Sequence, residues 1–318
     1  MTEEITNYPD ILQSLSANNS LIWFMYHKRR WEIQDLKSHP RWASADQIFL
    51  VDQECILDYT ELDNDPRLHI WDSSIPSHPN LHTYLFWFDW VRMIDEELGL
   101  SSKLVSWQTK HCDFLFDCLL GTMRTNRRFV FQQLNDHDLF QKCIIGSQKP
   151  TMLHIGDNLP VDWVAGVDTE GETNQYKLDN IRTVNLSCLI PYKIYNQSWY
   201  SIVTENCRGR IFYTEKTAKP LIANRLFVMF GEKHTLKNLR NFGFKTFNNV
   251  IDESYDNIDD EAIRWGEAWK QVEYLSTQNP VSIYQKISLT LDHNRNLMMQ
   301  QNWYNKMCKE MQQLLTII

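Results

Sequence analysis

Five residues whose side chains can bind sugars or phosphates lie within a short stretch of the chain: Glu205, Asn206, Tyr213, Glu215 and Lys216. The first two come directly after a predicted strand, Trp199–Thr204, and the last two begin a helix that Thr214 is suited to cap. A carboxylate at such a place can bind the hydroxyl groups of a ribose or hexose, and a lysine can neutralise a diphosphate. The alternative is that Glu215 only complements the helix dipole, while Lys216 is a solvated surface charge.

A basic turn supplies a second set of candidate phosphate ligands. Phe114–Leu119 is predicted to be a strand, residues 121–127 a turn, and Arg128 the beginning of a helix. Arg127 is the first choice for a phosphate ligand and Arg124 the second, because a guanidinium binds two phosphate oxygens at once and stays charged. The alternative is an exposed basic turn without a ligand.

The spacing of strands and helices predicts how these residues are brought together. From about residue 112 predicted strands alternate with helices, which is typical of a parallel sheet with crossover helices. The further strands are 143–145 and 226–230, and Thr235 is predicted to cap a helix that ends at Gly243. In such a sheet ligands bind at the carboxyl ends of the strands, where the candidate residues are expected to lie.

The segments before and after this predicted sheet in the sequence also have predicted secondary structure. The aromatic run 84–90 is expected to lie in a hydrophobic core rather than to stack on a sugar. The predicted elements are strands at 21–26 and 47–51, loops over 58–80, a helix over 84–98, and helical periodicity over 259–275 and 283–315.

Composition and charge exclude several classes of protein. The chain has 318 residues, more than a single core usually accommodates, which favours two domains. With 32 basic against 40 acidic residues the net charge is −8, the wrong sign for a protein that coats nucleic acid or anionic lipid. Seven scattered cysteines without a CxxC pair indicate reduced thiols, and no apolar stretch approaches the ~18 residues of a membrane span. We therefore expect a cytoplasmic protein without a membrane span.

The segment Ser201–Gly231 resembles a known family motif. Its letters, SIVTEN and then FYTEKTAKPLIANRLFVMFG, are similar to the donor-binding core of the alpha-1,3-fucosyltransferases and related GT-B glycosyltransferases. That core is approximately F-E-N-S, then Y-I-T-E-K, then a strand ending V-P-V-V-x-G. Cys207 stands where the family usually has serine, and the strand 226–230 lacks the usual Val-Pro. The basic turn 118–127 resembles the turn that brings an arginine to the donor diphosphate in related transferases.

The resemblance implies a fold and a donor pocket. The fold class would be α/β, with two Rossmann-like domains in a GT-B-like arrangement and a C-terminal helical extension. Residues 1–108 would form the acceptor-side domain, 109–280 the nucleotide-sugar-binding domain, and 281–318 a helix that packs back on both. The residues that would line the donor pocket are Arg124, Arg127, Glu205, Asn206, Tyr213, Glu215 and Lys216.

The implied reaction is an inverting transfer of a fucose-like or other hexose or pentose sugar from a GDP- or UDP-sugar to an acceptor hydroxyl. Arg127 and Lys216 would stabilise the leaving diphosphate, and Glu215 would bind sugar or ribose hydroxyls. A general base is expected from the first domain, where Asp52 and Asp72 follow apolar runs. Each of these aspartates is otherwise an ordinary turn carboxylate.

No metal and no tightly bound cofactor is expected in this reaction, because the arginine and lysine side chains neutralise the diphosphate. Two Asp-x-Asp strings, at 63–65 and 136–138, have the form of a metal-binding motif of other transferases. Neither follows an apolar strand in the nucleotide-binding half, so both are expected to be turn carboxylates.

The sequence leaves the acceptor open between a glycan, a lipid-linked precursor and a nucleobase hydroxyl. A bacterial cytoplasm or a virus-infected host fits a transferase without an anchor. A viral DNA glycosyltransferase for hydroxymethylated bases is a competing hypothesis, which the acidic net charge does not favour although residues 27–30 are basic at three positions. Two further hypotheses are a non-catalytic sugar- or nucleotide-binding protein with this fold and a structural interaction protein.

Overall fold

The computed structural model describes residues 20–25, 38, 40–52, 65–73, 80–121, 124–147, 175–177, 183–185, 188–205 and 209–316. The chain divides into two compact units. Unit 1 comprises residues 1–89 and 302–318, and unit 2 comprises residues 90–301. The domain limits at residues 108 and 280 stay predictions.

The strands are numbered in chain order. They are β1 Ser20–Met25, β2 Gln47–Asp52, β3 Leu68–Asp72, β4 Leu81–Thr83, β5 Phe114–Gly121, β6 Cys143–Ser147, β7 Gln175–Lys177, β8 Thr183–Asn185, β9 Ser198–Thr204 and β10 Phe227–Phe230. The helices are α1 Phe86–Leu98, α2 Thr125–Asp136, α3 Tyr192–Gln197, α4 Glu215–Ile222, α5 Thr235–Asn241, α6 Glu261–Thr277, α7 Pro280–Gln300 and α8 Trp303–Thr316. This mixture of parallel sheets and helices confirms the predicted α/β class.

Unit 1 contains a parallel sheet with the strand order β1-β2-β3-β4. Residues 48–51 of β2 are completely buried. A strand buried on both faces is a continuous apolar run rather than an alternating one, which made β2 predictable from sequence. The aromatic residues 84–88 are also buried, as predicted, whereas Trp90 is 37% exposed.

Unit 2 contains a second parallel sheet, with the strand order β10-β9-β5-β6. Every residue of β9 and of β10 is buried. The chain passes from β5 to β6 on one side of β5 and later places β9 and β10 on its other side, so the strand order reverses at β5. Such a reversal is where open α/β sheets bind ligands, outside the carboxyl ends of the strands.

A buried ion pair joins strands of the second sheet away from their carboxyl ends. Arg225, which precedes β10, forms a salt bridge with Asp117 of β5. The Asp117 carboxylate also accepts hydrogen bonds from the hydroxyls of Ser198 (2.9 Å) and Ser201 (3.1 Å) in β9. The Arg225 guanidinium donates to the carbonyls of Tyr195 and Ser198, both at 2.9 Å. One ion pair therefore connects β5, β9 and the start of β10.

Two predicted boundaries were wrong, and one predicted helical stretch contains a break. The predicted loop over 58–80 contains β3, whose Leu68, Ile70 and Trp71 are buried although Asp, Asn and Pro residues precede them. Helix α2 begins at Thr125 instead of Arg128, since Arg124 already has the extended conformation of an N-cap. The periodicity over 283–315 corresponds to two helices, α7 and α8.

The cap of helix α5 also differs from the prediction. Thr235 is its first residue, and its hydroxyl donates to the Glu232 carbonyl at 2.7 Å instead of accepting from the helix. The carboxylate of Asp256 accepts from the N–H groups of Leu236 (2.9 Å) and Lys237 (2.8 Å). The free N–H groups of the helix are thus bound by a side chain distant in sequence. The helix ends as predicted before Gly243, which has a positive φ of 95°.

Candidate functional site

The candidate site lies at the carboxyl edge of the second sheet. Strands β5, β9 and β10 are parallel and end at Gly121, Thr204 and Phe230. Helices α2, α4 and α5 begin soon after these three ends. The predicted residues Arg124, Arg127, Glu205, Tyr213, Glu215 and Lys216 all stand in the segments that leave this edge. Asn206 lies outside the described residues.

Asn126 connects the strand ends at this edge. It is buried in the first turn of α2, and its amide donates to the carbonyls of Glu205 (2.7 Å) and Phe230 (3.1 Å). One side chain therefore holds the start of α2 against the ends of β9 and β10. The sequence predicts Arg124 and Arg127 as ligands and not Asn126, although an amide between a strand and a helix needs hydrogen-bond partners when it is buried.

Arg124 and Arg127 differ in access. Arg127 is only 3% exposed, because it lies within the first turn of α2 and not in the preceding turn. Arg124, the N-cap residue, is half-buried. An anion from solvent therefore reaches Arg124 more readily than Arg127. The structure thus favours Arg124 as the phosphate ligand, whereas the sequence favoured Arg127.

The carboxylate of Glu205 accepts hydrogen bonds from residues of the protein itself. One oxygen accepts from the Thr214 N–H (2.9 Å) and the Thr217 hydroxyl (2.6 Å), and the other accepts from the Thr214 hydroxyl (2.6 Å). Burial raises the pKa of Glu205, an effect that the charge of Lys216 and the two hydroxyls oppose. The residue thus fastens the beginning of α4 to the end of β9.

The beginning of α4 carries the predicted cap. The Thr214 hydroxyl accepts from the Lys216 N–H at 3.3 Å, which confirms the predicted N-cap. Tyr213 is completely buried, and its hydroxyl donates to the Thr235 carbonyl at 2.5 Å. Burial raises the pKa of Tyr213 well above its ordinary value. The phenol therefore joins two loops of the edge and stays protonated.

Glu215 and Lys216 form an ion pair at the start of α4. The ammonium lies 2.5 Å from the carboxylate, and the exposed fractions of the side chains are 18% for Lys216 and 11% for Glu215. Burial alone would raise the pKa of Glu215, but the charges of Lys216 and Lys219 hold it below its ordinary value. Burial lowers the pKa of Lys219 to about 8. Lys219, one helical turn away, thus helps to keep Glu215 ionised. The sequence prediction did not include Lys219 among the site residues.

A buried hydroxyl at the end of β9 adds a further polar group. Thr204 is 1% exposed, and among the described residues its hydroxyl has no hydrogen-bond partner. A buried hydroxyl without a partner is costly, and such groups are usually satisfied by water or by a ligand. It lies next to Glu205 at the edge that carries the candidate residues.

The two candidate bases are neighbours in unit 1. Asp52 and Asp72 are the last residues of β2 and β3, and they are paired in the register of the sheet. Asp72 is 1% exposed, and its carbonyl accepts from the Tyr84 N–H at 2.6 Å. The side chain of Asp52 lies outside the described part of the chain.

Of the described aspartates in the Asp-x-Asp strings, Asp65 and Asp138 lie outside helices and strands, whereas Asp136 is the last residue of α2, so the predicted turn position was wrong for Asp136. Asp65 pairs with Arg67 at 2.7 Å, and His137 pairs with Glu273 at 2.6 Å. Asp138 has a left-handed backbone with φ 54°. Among the described residues no group of three or more His, Cys, Asp or Glu side chains is arranged to hold a metal ion.

No protein-family model matches the chain, and no curated protein matches it significantly. None of the helices in the described ranges combines the length and apolar character that a membrane crossing requires.

Proposed function

We propose that the protein is a nucleotide-sugar-dependent glycosyltransferase with two Rossmann-like domains in a GT-B-like arrangement. The donor would bind at the carboxyl edge of the β10-β9-β5-β6 sheet. The observation that carries the proposal is that the basic turn at Arg124 and the Glu215–Lys216 pair leave the same edge, beside the strand-order reversal. The resemblance of residues 201–231 to fucosyltransferase-type donor motifs supports the same assignment.

The charges at this edge suit a diphosphate. Lys216 stands at the N-terminus of α4, where the helix dipole already disfavours a cation unless an anion is near. Glu215 offsets part of that charge, and Arg124 and Arg127 add two guanidinium groups at the start of α2. In the proposed reaction these cations stabilise the negative charge that develops on the departing nucleoside diphosphate. The donor would be a GDP- or UDP-sugar, and no metal would be required.

The transfer would be inverting, with an aspartate as general base. Asp52 and Asp72, at adjacent strand ends of unit 1, are the candidates. A carboxylate in this role removes the proton of the acceptor hydroxyl as the new glycosidic bond forms. The acceptor would be a glycan, a lipid-linked precursor or a nucleobase hydroxyl, in the cytoplasm of a bacterium or an infected cell.

A thermal-shift screen tests donor binding. The ligands are GDP, UDP, CMP, ADP and their sugar conjugates, each with and without Mn²⁺ or Mg²⁺. A nucleotide at about 100 times its dissociation constant adds about 2.7 kcal/mol to the folded state. We expect one nucleoside diphosphate to stabilise the protein, and Lys216→Ala to remove most of this stabilisation.

Lys270→Ala is the matched control, because Lys270 is an exposed lysine that also pairs with a neighbouring glutamate. Its response to the nucleotide should equal that of the wild type. If no nucleotide stabilises the protein, or if both lysine variants respond alike, the donor site is not at this edge. A protein that binds the nucleotide sugar but never releases nucleoside diphosphate with any acceptor is a binding protein instead.

A further inference from the structure

Two histidines of unit 1 face each other across neighbouring strands. His69 lies on β3 and His82 on β4. The register pairs Trp71 with His82, and His69 lies on the same face of β3 as Trp71. The Nδ1 atom of His69 is 3.3 Å from the Nε2 atom of His82. We propose that these two nitrogen atoms form a binding site for a divalent transition-metal ion.

The separation of the two nitrogen atoms suits a shared ion. Imidazole nitrogens bind Zn²⁺ at about 2.0–2.1 Å in tetrahedral geometry, which places two such ligands about 3.3 Å apart. The observed 3.3 Å is therefore also the spacing of two ligands on one metal. When a metal binds, the proton that the two nitrogens share would move to the other nitrogen of the same ring, so that both imidazoles bind the metal as neutral ligands.

Neighbouring aromatic side chains hold both rings in place. Trp71 stacks on His82 with ring centroids 4.4 Å apart and planes inclined by 17°. Phe49 stacks on His69 at 5.8 Å and 23°. The Trp71 indole N–H donates to Glu310 of helix α8 at 3.1 Å. Surroundings that fix the orientation of the ligands lower the cost of binding a metal.

The protonation state of the rings agrees with this role. Burial, together with the charge of His82, lowers the pKa of His69 to about 4. Burial also lowers the pKa of His82. Both rings are therefore neutral near pH 7, and protons compete little with a metal ion.

The two imidazole ligands indicate which ions the site would bind. Imidazole ligands suit copper, nickel and zinc, and affinity rises from Ni²⁺ to Cu²⁺ and is lower for Zn²⁺ than for Cu²⁺. The 3.3 Å spacing fits tetrahedral Zn²⁺, and Cu²⁺ is the spectroscopic probe of the site because imidazole ligands bind it more tightly than Zn²⁺. The site is independent of the proposed donor site, which needs no metal.

Titration with Cu²⁺, followed by electron paramagnetic resonance, tests the site. The wild type should show a copper signal with hyperfine structure from two nitrogen ligands. His69→Ala and His82→Ala should each lose one nitrogen coupling and bind at least about tenfold more weakly, as loss of supporting groups at metal sites does. His111→Ala, which changes an exposed histidine, should leave the two-nitrogen signal unchanged.

Circular dichroism shows whether each alanine variant folds. If one does not, His69→Gln or His82→Gln replaces it, because glutamine keeps a polar side chain at that position. A folded variant at either position that retains the two-nitrogen signal and wild-type affinity would overturn the proposal. So would a wild type without the two-nitrogen signal, because the rings would then share only a hydrogen bond. Neither outcome affects the nucleotide test, which uses another site.

Discussion

Asn126 joins three elements of unit 2 with one amide group, since it lies in α2 and donates to carbonyls at the ends of β9 and β10. Asn126→Ala removes both hydrogen bonds from the edge where we place the donor. Because buried polar groups without partners cost about 1–3 kcal/mol, we expect the variant to lose about that much stability. Urea unfolding followed by fluorescence measures the loss.

Asn135→Ala provides the control, because Asn135 is an exposed residue of the same helix. It should change the free energy of unfolding by less than about 0.5 kcal/mol. If Asn126→Ala loses no more stability than Asn135→Ala, the Asn126 contacts do not contribute measurably to stability.

Sequence patterns identify residues by chemical type but do not show what each side chain contacts. Glu215 and Lys216 were selected as a charged pair at a helix start, and they form one. Glu205 was selected as a ligand residue, yet its carboxylate binds Thr214 and Thr217. The proximity of Lys219 to Glu215 was predictable from their i, i+4 spacing on the predicted helix, but the burial that couples the two charges was not.

At the scale of elements, the buried Asp117–Arg225 pair connects three strands of the second sheet. Arg225→Met would leave the Asp117 carboxylate buried without its counter-charge. Removal of one member of a buried ion pair costs about 3–5 kcal/mol, so we expect a loss of that size in chemical denaturation. Lys233→Met, at the exposed pair with Asp259, should cost at most about 1 kcal/mol.

A second substitution checks the cause of this loss. Asp117→Asn added to Arg225→Met removes the uncompensated charge and keeps a group that can bind the serine hydroxyls. The double variant should regain part of the lost stability. A double variant less stable than Arg225→Met would show that the Asp117 carboxylate, which accepts from the two serine hydroxyls, stabilises the fold even without its counter-charge.

Strands with long, mostly apolar runs were predictable, and a short strand among polar turn residues was not. The runs in β2 and β10 are continuous, and those in β5 and β9 are each interrupted by one polar residue, Asp117 and Ser201. The residues of β3 predict a loop because polar turn residues surround its few apolar ones. The cap of α5 was missed because Asp256 reaches it from a distant segment.

For the whole molecule, Lys110 makes stability depend on pH. Burial, followed by the charge of Arg225, lowers its pKa from 10.5 to about 7. Between these values the unfolded chain binds more protons at this group than the folded chain does. Its contribution to stability therefore rises with pH from about 7 towards 10.5.

Lys110→Met removes this titration and keeps an apolar side chain of similar length. We expect the variant to gain less stability than the wild type when the pH rises from about 7 to 8.5, measured by urea unfolding at each pH. The comparison cancels groups that titrate in both proteins. Identical pH profiles would show that Lys110 is charged in both the folded and the unfolded states at neutral pH.

The contacts of Asp89 determine the order in which the two units can be completed during synthesis. Its carboxylate accepts hydrogen bonds from the N–H groups of Trp303 and Tyr304 at the start of α8, more than 200 residues later. Translation proceeds from the N-terminus, and domains tend to fold as they emerge. Residues 90–301 are therefore available to fold while unit 1 still lacks α8. Synthesis of unit 1 therefore starts before that of unit 2, but unit 1 can be completed only after unit 2 has been synthesised.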